Sequence, residues 1–140
     1  MPVPHEYQRC DDHLWDYFHD LAETAGIETS HRAYTTTQGV FQAFRRRLTL
    51  QDSIRFARTL PVGLRALYVE AWDPEEPVSP PGDRATWTRE AQALRPDHNF
   101  APDTCIEDVA TCVRWHLVDP AALERVLATL PPWASEFWRS

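Results

Sequence analysis

The sequence predicts an all-α protein of about eight helices, arranged as two pseudo-symmetric four-helix halves packed into one domain over residues 1–140. Three observations carry this reading. Apolar residues recur in steps of three and four along most of the chain, which is the spacing of one helix face. Glycines, prolines and capping side chains fall where those runs stop and restart. No stretch shows the strict alternation of a half-buried strand. With 140 residues, 43% of them hydrophobic and 25% charged, the chain is long enough to close one core.

The first stripe is Leu14, Trp15, Phe18, Leu21, Ala22 and Ala25, and Gly26 stops it because glycine accepts the left-handed turn that closes a helix. Thr29 and Ser30 offer cap oxygens to a second helix whose inward face is Ala33, Thr37, Val40, Phe41, Phe44 and Leu48. Thr49 with Asp52 resembles a capping box and opens a short third helix carrying Ile54, Phe56 and Ala57 inward. Leu60-Pro61 ends it, and Pro61 suits the first turn of a fourth helix that buries Leu64, Leu67, Tyr68 and Ala71.

Residues 73–83 then read as a linker, because Pro74, Pro77, Pro80 and Pro81 remove backbone donors and exclude a helix interior. Helical spacing resumes with Trp87, Ala91 and Leu94. A longer helix, with Pro102 at its start, carries Ile106, Val109, Ala110, Val113 and Leu117. Asp119-Pro120 pairs a cap residue with a proline at the first helical position, ahead of Leu123, Val126, Leu127 and Leu130. Pro131 opens a last helix with Ala134, Phe137 and Trp138.

The halves, 9–72 and 84–139, read as copies. A shift of 69 residues places Phe18 on Trp87, Val40 on Val109, Phe44 on Val113, Arg45 on Arg114 and Leu48 on Leu117. A shift of 70 then places Leu60-Pro61 on Leu130-Pro131, Leu64 on Ala134, Leu67 on Phe137 and Tyr68 on Trp138. A long period present twice indicates a paired unit rather than a solenoid. On these residues the chain resembles the DUF2267 family of bacterial proteins. The resemblance rests on Phe18 with Leu21, on residues 40–48 and 57–68, and on their counterparts at 109–117 and 130–138. It covers residues 14–138 and implies an all-α duplicated domain, without catalytic residues to carry over.

Arginine supplies all 14 basic residues against 21 acidic ones, and the net charge of -7 argues against nucleic acid or an anionic membrane as a general partner. No apolar run approaches a bilayer span and the N-terminus lacks the regions of a signal peptide, so the expectation is a soluble, cytoplasmic protein. Three cysteines, Cys10, Cys105 and Cys112, make no disulfide framework. Four scattered glycines leave no phosphate-cradling loop, and no nucleophile elbow is present.

The remaining candidates are few. Cys105, Asp108, Cys112 and His116 share one helix face, yet ligands seven and eleven residues apart lie about 10 and 16 Å apart and cannot share one ion. No metal or other cofactor is therefore expected, and the cysteines read as core. Asp16 and His19 sit in an acidic outer face. Residues 45–65 carry a net +5 and residues 1–28 a net -6, so the two regions either pair across helices or leave Arg45, Arg46 and Arg58 free for an anion. Among six tryptophans, Trp115 falls off its helix's core stripe and Trp133 sits at a helix start; both are candidates for a groove or a homodimer contact. The expected function is binding, at the seam between the halves, of a protein or of a small apolar molecule with an anionic group. The alternative is a small biosynthetic enzyme using His116 or His19 in general acid–base catalysis.

Overall fold

The computed structural model describes residues 2–95 and 101–140 and contains, among them, nine helices and no strand. They are α1 (His5–Gln8), α2 (Cys10–Ala25), α3 (Ser30–Arg45), α4 (Leu50–Ala57), α5 (Val62–Val69), α6 (Arg84–Gln92), α7 (Cys105–Trp115), α8 (Pro120–Thr129) and α9 (Pro132–Phe137). The four-residue α1 has no counterpart in the sequence reading, since it buries nothing and so carries no stripe. None of the described helices is long and apolar enough to cross a membrane.

Local chemistry sets the helix ends. Gly26 takes φ 67° after α2 and donates its N–H to Ala22. Thr29 and Thr49 accept the backbone N–H groups of Arg32 and Asp52, opening α3 and α4. Asp52 does not complete a capping box; its carboxylate turns to Arg55 at 3.3 Å. Pro61 and Pro131 stand one residue before their helices, with ψ of 156° and 150°, and their carbonyls accept from Arg65 and Ala134. α7 begins at Cys105 rather than at Pro102, whose carbonyl instead accepts the Cys105 N–H in a preceding turn.

The centre of the molecule is α3, with ten buried residues in sixteen. It packs against α2 and α5 on one side and α6 and α7 on the other. Gly39 makes the α3/α6 crossing possible: a Cβ there would stand 2.4 Å from the Ala91 carbonyl oxygen. Phe44 is the hub of the aromatic core, its ring centroid 4.7 Å from Phe56, 5.0 Å from Phe137, 5.4 Å from Trp138 and 5.5 Å from Trp133. Every aliphatic or aromatic pair aligned by the shifts of 69 and 70 is buried, from Phe18 and Trp87 to Tyr68 and Trp138, while the Pro61 and Pro131 corners are half-buried and exposed. Three expected core positions are not buried: Trp15 is 49% and Ile54 51% exposed, and Ala71 is exposed because α5 ends at Val69 before reaching it. On α2 the inward stripe runs through Leu14, Tyr17, Phe18 and Leu21, which turns Trp15 outward.

The α3/α6 joint also carries charge. Arg46 reaches Glu90 at 2.7 Å, and Arg47, almost fully buried, binds the same carboxylate. Burial alone would raise the Glu90 carboxyl, but the hydrogen bonds and charges of Arg47 and Arg46 outweigh it and hold the group below its ordinary value. A depressed folded-state pKa contributes stability that is present above the unfolded value, about 4.3, and is lost as pH falls through the folded one. Glu90→Gln should therefore melt below the wild type at neutral pH, with the gap closing as pH falls from about 5 toward 3. Thermal melts across that range check this, and a gap independent of pH would refute it.

Candidate functional site

A cleft of about 280 Å³ opens where the two halves meet. One wall comes from α1, α2 and the start of α5, through Glu6, Cys10, His13, Leu14, Tyr17 and residues 61–64. The other comes from the end of α7 and the following turn, residues 115–118. On α2 the steps from Cys10 to His13 and Leu14 and on to Tyr17 are three or four residues, so one helix face supplies them all. α1 is held over the α5 end by Arg65, whose guanidinium lies 3.6 Å from the Glu6 carboxylate, bonds the Tyr7 hydroxyl at 3.3 Å and sits over the Tyr7 ring.

At the back of the cleft, the Tyr17 ring meets His116 edge to face at 5.7 Å. Thr37 donates its hydroxyl proton to the Ala33 carbonyl, so the Tyr17 phenol donates to Thr37, at 2.8 Å. Burial pushes the Tyr17 hydroxyl far above its ordinary value. Tyr17 thus offers the cleft an aromatic wall and keeps its proton. His116, which ends α7, donates from Nε2 to Asp20 on α2 at 2.6 Å. Its Nδ1 makes no hydrogen bond among the described residues and is free to meet a ligand, as acceptor when the ring is neutral and as donor when it is charged. At the rim, Trp115 and Val118 are 64% and 69% exposed.

Of the residues singled out from sequence, the fold brings Trp115 and His116 together at this cleft. The others stand elsewhere. His19 is exposed on the outer face of α2, beside Trp15. Trp133 is half-buried against Phe44 and Trp87. Arg45 is buried; its Nη1 donates to the carbonyls of Tyr68 and Glu70 at 2.7 and 2.9 Å, and its guanidinium covers Trp72. These carbonyls close α5, so Arg45 satisfies groups the helix cannot satisfy itself. Arg114 does the same for α9, donating to the Trp138 carbonyl at 2.5 Å. Arg46 is engaged by Glu90, and Arg58 is exposed with no ion pair among the described residues. Cys105 and Cys112 are buried, and burial raises both thiols, Cys105 to about 12. No group of three or more metal-ligating side chains is present among the described residues.

Glu6, Cys10, His13 and Tyr17 also line the cleft, and Asp20 is the partner of His116, none of them a candidate on sequence alone. The helical spacing of Cys10, His13 and Tyr17 beside the core stripe was the available signal. The Asp20–His116 pair spans 96 residues and leaves no local signature.

The structural role of Arg45 separates it from Arg58. Arg45→Met should destabilise the fold by about 1–3 kcal/mol, since it leaves buried carbonyls unpaired. Arg58→Ala should stay within about 0.5 kcal/mol. Urea unfolding of both variants measures this, and equal effects would refute it.

Compared with known proteins, residues 16–137 match the family model described as an uncharacterized conserved protein, DUF2267. No curated protein matches the chain.

Proposed function

We infer that this chain, which belongs to the DUF2267 family, is a duplicated cytoplasmic helical module that binds a small apolar molecule with an anionic group in the cleft at the seam between its halves. The observation that carries this is the cleft itself. It has walls of mixed polarity from both halves, an exposed tryptophan at the rim, two imidazoles, of His13 and His116, and the Glu6 carboxylate, which Arg65 offsets at 3.6 Å. Ligand sites favour such junctions, and convergent polar groups on an apolar surface are what orient a ligand. The His13 imidazole suits a carboxylate, and the Nδ1 of His116 does so in the charged ring, whose Nε2 already donates to Asp20. The volume suits a molecule of modest size rather than a peptide segment.

General acid–base catalysis by His116 is a second reading, favoured by the 2.6 Å hydrogen bond that fixes its ring at the cleft. The pairing of halves weighs against it. His116 stands at the position matching Arg47, and each reaches a carboxylate across the seam: His116 to Asp20, Arg47 to Glu90. A cross-seam tie explains both pairs with one role.

Phenylacetate serves as a probe. Followed by amide and indole NMR shifts, it should perturb the Trp115 indole and the amides of His116 and Val118. Trp115→Ser should weaken binding about fivefold, the equivalent of ~1 kcal/mol. Unmoved signals at these three residues would refute the seam site. Turnover that survives His19→Gln and vanishes in His116→Gln would select the catalytic reading.

A further inference from the structure

A second cavity, of about 410 Å³, lies in the first half between α2 and α5, bounded by α3. It shares Leu14 and Gly63 with the seam cleft and otherwise has its own walls. Its origin is visible when the halves are aligned. Phe18, Gly63 and Leu67 line it, and the matching residues are Trp87, Trp133 and Phe137. In the second half these are three aromatic side chains that fill the corresponding space, with Trp87 5.0 Å from Phe137 and 6.3 Å from Trp133. In the first half every one of the three positions carries a smaller residue. Leu14 recovers part of the loss by lying over Gly63, where a Cβ would meet its side chain at 3.0 Å. The rest remains open as an apolar groove where the other half is packed with rings.

One end of the groove is polar. Tyr34 donates its hydroxyl to Glu70 Oε2 at 2.6 Å, and Glu70 Oε1 accepts no hydrogen bond among the described residues. The Arg45 guanidinium, which attracts Glu70, gives its hydrogen bonds to the backbone carbonyls of Tyr68 and Glu70. Glu70 lies one turn beyond Ala66 on the same face of the chain, so its carboxylate closes the groove that Ala66 borders. A ring-sized apolar slot ending on an exposed carboxylate selects a flat aromatic group carrying a cation, in a protein whose net charge of -7 already favours cations.

We propose that the α2/α5 groove is a binding site for a small aromatic monoamine, with the ring between Phe18 and Leu67 and the ammonium on Glu70. The ring takes the place that aromatic side chains occupy in the other half. The ammonium supplies a direct ion pair to a carboxylate that Arg45 attracts without contacting it through a side-chain bond. This site is separate from the seam cleft and does not depend on it.

Phenethylamine is the probe, with phenylacetate as its anionic counterpart of similar shape. Phenethylamine should shift the amides of Ala66 and Glu70, which border only the groove, and leave Trp115 and Val118 unmoved. Phenylacetate should bind the groove at least about fivefold more weakly, and Glu70→Gln should remove that preference. Ala66→Trp places an indole into the slot from an exposed position and should abolish binding while a thermal melt confirms the fold. Three results would each overturn the proposal: no shift at residues 66–70, equal groove affinity for amine and acid, or undiminished binding to Ala66→Trp. A seam cleft that ignores phenylacetate while the groove takes phenethylamine would refute the seam reading alone, and the reverse would refute the groove alone.

Discussion

The burial of α3 constrains everything around it. A helix with ten of its sixteen residues buried has little water for its inward polar side chains, which turn to carbonyls of their own helix, as Thr35 and Thr37 do, or to groups of a neighbouring element. Thr37 finds Tyr17 on α2, Tyr34 finds Glu70 after α5, and Arg45 finds the carbonyls that close α5. These partners are also the polar fittings of the two cavities. Tyr17 is the aromatic back wall of the seam cleft, and Glu70 is the charged end of the groove. Satisfying α3 and building the cavities are therefore one arrangement, and polar changes in α3 act on both.

Close approach is the other demand of a central helix. Gly39 brings α3 against the Ala91 backbone, and the aromatic hub at Phe44 then locks α4 and α9 onto the same helix. Packing of this density tolerates little added volume. The cavities accordingly lie at the edge of the packed region, where α2, α5 and the end of α7 meet, and not within it.

Sequence and structure agree where a signal is local. Gly26, Thr29 and Thr49 act at the ends assigned to them, and the paired aliphatic and aromatic positions are buried. They part where the deciding interaction is remote. Arg45 was a candidate anion ligand because charged side chains are seldom buried, and nothing in its neighbours reveals that the end of α5 lies within reach. The sequence places Trp15 and not Tyr17 in the stripe of α2, and the positions of α3 and α7 reverse the two, turning Tyr17 inward. At the seam, Trp115 was legible as a tryptophan off its stripe, whereas Asp20, Cys10 and His13 are joined to it only by tertiary folding.

The packing of the halves explains why the seam has this cleft on one side. Exchanging α2–α5 for α6–α9 turns the α2/α7 contact into the α6/α3 contact, and both are present. The same exchange relates the residues lining the cleft to residues at the end of α3 and in the proline-rich segment. Trp115 and His116 map to Arg46 and Arg47, and Cys10 and His13 map to Ser79 and Gly82. There the space is taken. Ser79 donates its N–H to the Arg46 carbonyl at 2.8 Å, a Cβ on Gly82 would stand 3.4 Å from the Arg47 guanidinium, and the Trp87 indole holds the Pro81 carbonyl at 2.7 Å. The segment that joins the halves thus closes one of two related sites, while α1 and the start of α2 only border the other. A symmetric arrangement would fill both or leave both open. The linker breaks that balance on one side, and the smaller side chains at Phe18, Gly63 and Leu67 break it in the first half. Both cavities lie where the two sets of helices differ, in the side chains that fill the space or in the segment that covers it.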